Sequence, residues 1–290
     1  MKLVVVIPTI GRKDLVNRVI GYLEGQTRLP DEVLVSAPDD SHVAPFVSDK
    51  FKVSYVFGKK GLCAQRNQAL EQVLGRFDII SFFDDDFLPA KHYLERLVRA
   101  FEERPDWAVI MGHAVADGAH NEGLTFEQGV AILEEAEARD YGEPVITDHV
   151  GAYGCNMSMR AAVIGETRFD ERLPLYGWQE DIDFTSQLRR HGKVVGLSIL
   201  PGVHLGAKSG RVSGVRLGYS QVVNPIYLVK KGTVPASFAY ELMGRNVIAN
   251  IVRSFWPERY IDRWGRLKGN LLAASHVIRG KVNPEHILHL

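Results

Sequence analysis

Three consecutive carboxylates, Asp84, Asp85 and Asp86, follow the apolar run Ile79-Ile80-Ser81-Phe82-Phe83 and precede Phe87-Leu88-Pro89. The run is short, rich in β-forming residues and bounded by polar residues and a proline, which is the pattern of a buried strand. Like charges crowded at the end of such a strand repel one another unless a proton or a cation relieves them, and hard oxygen ligands suit Mg²⁺ or Mn²⁺. Two acids one residue apart can share one ion, and such an ion most often also carries substrate phosphates. A charge run is commonly just a solvated turn. The position nevertheless suits a site, because ligands in open α/β sheets bind beyond the carboxyl ends of the strands.

Other reactive groups stand at comparable places. Asp39-Asp40-Ser41 follows a predicted strand over Glu32 to Ser36, and Glu180-Asp181-Ile182-Asp183 opens a predicted helix running through Arg190 to Gly192. Acids in a first helical turn complement the dipole, so as an isolated pair Glu180 and Asp181 read as dipole partners, with Asp183 capping or pairing within the helix. His204, taken alone, reads as structural. Trp178 suits either a sugar-stacking pocket or the core. Lys208, Ser209, Arg211 and Ser213 lie in a Gly- and base-rich stretch fit to face phosphate. Cys63 and Cys155 have neither metal-ligand spacing nor the numbers for a disulfide framework, which points to a reducing compartment.

The elements that must hold these groups alternate. Leu3 to Ile7 is a continuous β-branched run, as in a strand covered on both faces. Leu15 to Leu23 has helical spacing, Phe51 to Phe57 alternates as a strand, and Leu62 to Leu74 is a helix closed by Gly75. After the acidic-exit strand come a helix over 90–104, a strand from Trp107 to Val115, an acidic surface helix from Phe126 to Ala138, a strand from Tyr153 to Met159 and a strand from Lys193 to Leu200 ended by Pro201. Strand, helix, strand repeated in this way predicts a parallel sheet with right-handed crossovers.

The remaining residues, 216–290, have helical periodicity broken at Pro225, Pro235, Pro257 and Pro284. Ten bases against four acids after Ser220 leave this segment near +6 in a chain of zero net charge, so the first 219 residues carry about −6. Basic amphipathic helices lie on anionic membranes or pack on a neighbouring domain, and the sequence leaves both open. No run reaches the length of a membrane span, and the apolar stretch before Pro8 is too short for a signal peptide. A cytoplasmic protein is expected, either free or at the inner face of the membrane, with no nucleic-acid partner.

Taken in order, Val5-Val6-Ile7-Pro8-Thr9, Asp39-Asp40-Ser41, Gly61-Leu62-Cys63-Ala64-Gln65-Arg66-Asn67, Phe83-Asp84-Asp85-Asp86, Gly154-Cys155-Asn156-Met157-Ser158-Met159-Arg160, Glu180-Asp181-Ile182-Asp183 and His204 resemble the signature of family 2 glycosyltransferases with the GT-A fold. The resemblance covers residues 3–204. It implies an α/β fold with a Rossmann-like, mainly parallel sheet flanked by helices over 1–215, followed by a basic helical extension over 216–290. It further implies an inverting transferase that takes a sugar from a nucleotide-diphosphate sugar to a saccharide or lipid-linked acceptor, as in polysaccharide biosynthesis. Pro8, Thr9 and Asp40 would hold the base and ribose, Arg66 would approach the nucleotide, and Asp84, Asp85 and Trp178 would line the donor site. Asp86 and His204 would ligate Mg²⁺ or Mn²⁺, and Asp181 would be the general base with Glu180 as the alternative.

Two other readings compete. An apolar strand followed by Asp84-x-Asp86 is also the local pattern of a phosphohydrolase with an aspartyl nucleophile. Leu88 then stands where a Thr or Val is wanted, and the exits at Pro8-Thr9 and Asp40 go unexplained. A non-catalytic, membrane-associated binding protein of the same fold would have no need of Asp84, Asp86, Asp181 and His204 together.

Overall fold

The β-branched run at the N-terminus becomes the central strand β1 (Leu3–Pro8), buried along its whole length. Around it, in the computed structural model, which describes residues 1–138, 143–208, 213–256 and 258–290, a parallel half-sheet forms in the order β3 (Lys52–Phe57), β2 (Glu32–Ala37), β1, β4 (Ile79–Phe83). Helices α1 (Lys13–Leu23) and α2 (Leu62–Val73) make the crossovers. Because β1 alternates, Leu3, Val5 and Ile7 pack with α1 on one face of the sheet while Val4 and Val6 pack with α2 on the other.

Beyond β4 the sheet becomes mixed. Strand β8 (Asn156–Arg160) inserts antiparallel between β4 and β6 (Trp107–Asp117), and β9 (Lys193–His204) runs parallel to β6. Two short strands that the sequence did not signal, β5 (Phe87–Pro89) and β7 (Ile146–Asp148), both pair antiparallel with β9. Apart from β5, β7 and β8 the strands share the direction of β1, so the α/β fold has a mainly parallel sheet flanked by helices. Helix α3 (Tyr93–Glu103) covers one face, α4 (Phe126–Glu137) starts at a Thr125 capping box, and α5 (Glu180–Leu188) covers the other face.

Two prolines depart from expectation. Pro201 does not end β9, which continues to His204. The register against β6 jumps from Gly112↔Leu197 to His113↔Pro201, so residues 198–200 bulge out and the ladder resumes at Pro201, whose missing N–H falls at this irregularity. Pro225 does not break the C-terminal helix either: α6 (Gly214–Lys231) runs through it. A mid-helix proline costs roughly 3 kcal/mol. Continuous burial of Gly218 to Pro225 against neighbouring elements offsets that cost. Pro235 caps α7 (Ala236–Ser254), which is followed by α8 (Arg263–Ile278) and by a 3-10 turn opened by Pro284. Ser209, Arg211 and Pro257 lie outside the described residues.

Candidate active site

The turn after β4 sends its three acids in different directions. The Phe87 N–H donates to the Asp84 carbonyl at 3.0 Å and the Asp84 N–H to the Cys155 carbonyl at 3.1 Å, which fixes the turn between β4 and the segment entering β8. Asp85 points back toward β1, where it accepts from Thr9 Oγ1 and Arg12 Nη1, each at 2.6 Å. Asp86 accepts from the Ala207 N–H at 2.7 Å and faces His204 Nε2 at 3.3 Å. Asp84 is the most open of the three, with its Oδ2 3.8 Å from the same nitrogen.

Asp84, Asp86 and His204 each offer one ligand atom, and these atoms lie within 4.8 Å of one another. The far nitrogen of the imidazole, Nδ1, is 2.9 Å from Asp117 Oδ1, and Asp117 Oδ2 accepts from the Tyr153 hydroxyl at 3.1 Å. A carboxylate on one ring nitrogen and converging oxygen ligands on the other is how a metal-binding histidine is oriented. Two hard oxygens and one imidazole suit Mn²⁺ or Mg²⁺, so these residues fit a divalent ion. Burial pushes the His204 imidazole toward neutrality, but Asp117 and Asp86 outweigh it and raise its pKa to about 10. Burial alone would raise Asp86, yet His204, Arg12 and the Ala207 N–H hold it below the usual carboxylate range. Asp85 goes up to about 6, chiefly by burial and helped by Asp86, against Arg12 and Thr9.

A second acidic group adjoins the first through Arg66 on α2, which is 1% exposed. Its Nη1 donates to Glu180 Oε1, and its Nη2 donates to the Gly154 carbonyl at 3.0 Å and to Asp84 Oδ1 at 3.3 Å. The Asp181 carboxylate accepts from the Gly154 N–H at 2.7 Å and the Ile182 N–H at 2.8 Å. Gly154 therefore joins the two halves, and a side chain there would crowd both: a Cβ would stand 3.0 Å from Asp181 Oδ2 and 3.3 Å from Arg66 Nη2. One guanidinium faces three carboxylates. Burial, with Asp181 and Asp84 adding to it, pushes Glu180 up to about 8 despite Arg66. Burial also raises Asp181, against Arg66 and the two N–H donors.

The turn leading into α5 is strained: Leu175 and Gln179 have positive φ (61° and 73°), which non-glycine residues rarely adopt. It is tied down where Leu62 donates to the Leu175 carbonyl and Asn224 Nδ2 to the Trp178 carbonyl. Trp178 sits half-buried on this turn. Asp183 does not cap or pair within its helix: it is wholly buried and bonded to Lys231 (2.6 Å) and Thr233 (2.5 Å) at the end of α6.

On the other flank, Pro8 ends β1 and Thr9 is buried behind it, while Asp40 is exposed in a 3-10 turn (Asp40–His42) beyond β2. Two strand spacings separate β2 from β4, roughly 10 Å. Arg66, expected beside the nucleotide, is instead enclosed by protein, with Nη1 and Nη2 directed at acids and a carbonyl. Residues assigned no role of their own from the sequence complete the arrangement: Arg12, Asp117, Tyr153, Gly154 and Gln65, whose Nε2 donates to the carbonyls of Thr9 (2.8 Å) and Ser36 (2.9 Å) and so clamps the ends of β1 and β2. Asp117 was within reach of the strand-exit rule, since β6 runs two residues beyond its predicted end at Val115.

The profile of the family described as Glycosyl transferase family 2 matches residues 4–162. No curated protein sequence matches the chain. Among solved structures, S. aureus TarS aligns with a TM-score of 0.51 and 17% identity over 89% of this chain, which spans 44% of the length of that one. A shorter form, TarS 1-349 in complex with UDP-GlcNAc, gives 0.54 and 16% over 88% of this chain and 73% of that one. Mannosyltransferase PcManGT from Pyrobaculum calidifontis, in complex with GDP-Man and Mn²⁺, gives 0.54 and 14% over 99% and 78%. At such identities the likeness establishes the shared fold.

Proposed function

The chain belongs to glycosyl transferase family 2, and on that premise we propose that it moves a sugar from a nucleotide-diphosphate sugar to a hydroxyl of a saccharide or lipid-linked acceptor, with inversion at the anomeric carbon. The observation that carries this reading is the convergence of Asp84, Asp86 and His204, to which Asp181 is joined through Gly154 and Arg66.

Thr9 with Pro8, and Asp40 at the exit of the adjacent strand, would hold the donor's base and ribose, with Asp84 reaching the ribose from the third strand. Asp86 and His204, joined by Asp84, would hold Mg²⁺ or Mn²⁺, which when bound supplies positive charge for the departing diphosphate. Asp117 fixes the His204 ring so that Nε2 presents its lone pair once the proton there is released. Asp181 takes the proton of the acceptor hydroxyl as that oxygen attacks from the side opposite the diphosphate. Its carboxylate is oriented by two backbone N–H groups, and its raised pKa brings it closer to a hydroxyl's demand. Arg66 is a positioning residue that keeps Asp84 and Glu180 at a fixed separation. Trp178, on the strained turn before Asp181, is suited to stack on a sugar ring.

The test is a panel of UDP- and GDP-sugars scored by thermal stabilisation with and without Mn²⁺, followed by NMR of the product's anomeric configuration. One donor should stabilise the protein in a metal-dependent way, since ligand binding raises apparent stability with the logarithm of its saturation. Stabilisation that ignores the metal, or a product of retained configuration, would overturn the corresponding part. Release of phosphate from a phosphomonoester would instead favour the aspartyl-nucleophile reading.

A further inference from the structure

Helices α7 and α8 leave a large apolar surface exposed. The fully buried positions of α7 are Ala239, Asn250 and Ser254, and those of α8 are Gly265, Gly269, Asn270 and Ala273; not one is a large aliphatic or aromatic residue. Their closest contacts inward are backbone approaches and polar bonds. A Cβ on Gly269 would meet the Val215 carbonyl at 2.1 Å, and Asn250 Nδ2 donates to Gln221 Oε1 (2.8 Å) and Asn270 Oδ1 (2.9 Å). Phe238, Met243 and Val247 of α7 and Leu272 and Val277 of α8 pack half-buried against the core, whereas Ile248, Ile251, Val252 and Phe255 on α7, Trp256 after it, and Trp264, Leu271 and Ile278 on α8 are exposed. Trp264, Leu271 and Ile278 are spaced by seven, so they form one stripe, with Lys268 between the first two. An ordinary surface helix buries its apolar stripe and exposes its charges.

Small and polar residues at the fully buried positions, with large apolar ones exposed, is the arrangement of helices whose surroundings are hydrocarbon. No described helix is long and apolar enough to cross a membrane. We propose that the outer face of α7 and α8 lies on an anionic lipid bilayer, in the plane of its interface. Charge selects this occupant over a second copy of the chain. The segment carries a net charge near +6, and Arg253, Arg259, Lys268, Arg279 and Lys281 flank or interrupt the apolar stripes, where a self-associating face would bring like charges together. Tryptophan and tyrosine residues clustered at the α7–α8 turn suit the headgroup level. The α7–α8 turn is also tied to the segment that follows β6: Tyr260 donates to Glu122 at 2.7 Å, five residues after the His204 partner Asp117. A bilayer bound there would present lipid-linked hydroxyls beside the site. That last step rests on the glycosyl-transfer reading, whereas lipid binding itself does not.

Flotation of the full chain with phosphatidylcholine vesicles, with and without phosphatidylglycerol, tests the proposal, alongside sedimentation velocity without lipid. The wild type should float with the anionic vesicles, less so as salt rises, with a blue shift of tryptophan emission. Phe255→Ser/Trp256→Ser/Trp264→Ser/Leu271→Ser should weaken this at least about tenfold, and Lys268→Glu roughly fivefold or more. Both variants alter exposed side chains only, so their melting should stay that of the wild type. Absence of flotation at physiological salt, equal flotation of the apolar variant, or a dimer that the apolar substitutions dissociate would each overturn it.

Discussion

Replacing Arg66 by Met would test whether the two acidic groups are held as one unit. The side chain is 1% exposed and faces Glu180, itself 4% exposed, as well as Asp84 and, through Gly154, Asp181. Above about pH 8, where Glu180 is ionised in the fold, removing one partner of the buried ion pair while the other remains costs about 3–5 kcal/mol, a large share of the about 5–15 kcal/mol that holds a typical protein folded. For a chain of this size that corresponds to a fall in Tm of roughly 5–8 °C. The assay is urea unfolding and calorimetry of wild type, Arg66→Met, Glu180→Gln and the double variant. If Arg66 chiefly compensates Glu180, the Arg66→Met penalty should shrink by about 1–3 kcal/mol in the Glu180→Gln background, with the remainder due to Asp84. An Arg66→Met variant within about 1 kcal/mol of wild type, or strictly additive effects, would refute the idea that this guanidinium holds the acids together. A variant of normal stability that had lost donor binding alone would return Arg66 to the nucleotide.

Asp181→Asn should lower turnover at least about 100-fold while donor binding persists, measured by steady-state kinetics and calorimetric titration; near-normal turnover would move the base elsewhere. Asp86→Ala should abolish the metal-dependent part of donor stabilisation in thermal melts, and an unchanged Mn²⁺ response would count against this carboxylate as a ligand. Glu180 has a pKa of about 8 in the fold against an ordinary 4.5, so between those values the folded chain keeps a proton that the unfolded chain has released, and stability falls as the pH rises through that window. The contribution is whole below about pH 4.5 and lost by about pH 8, so melting of Glu180→Gln should depend less steeply on pH between 5 and 8 than that of wild type. Parallel profiles would assign the slope to other groups.

Strand exits were legible because two independent signals coincide there, a short apolar run and a carboxylate that the run cannot bury. That logic located Asp40 and the three acids after β4. It does not say which way each acid turns, since Asp84, Asp85 and Asp86 have identical side chains and diverge only because Phe87 closes a tight turn on Asp84. Arg66 illustrates a different limit. An arginine on a helix of mixed composition gives no sign of burial, and one of its partners, Glu180, comes from α5 more than a hundred residues later. Pro201 and Pro225 misled because a local rule met tertiary packing strong enough to override it. Helices α7 and α8 are hardest of all, because periodicity marks an apolar stripe without saying which side of it faces protein.

The displaced loop at residues 198–200 divides β9 into two rulers. Ahead of it, Val194 to Leu197 are measured against the body of β6; after it, Pro201 to His204 are measured afresh against the ends of β5 and β6, with Phe87 and Asp117 both opposite His204. Insertions or deletions at the loop would be taken up there and leave the imidazole aimed at Asp86. Loss of a single residue from 202–204 would rotate it to the far side of the sheet. The rim can therefore keep its alignment while the length of chain feeding it varies.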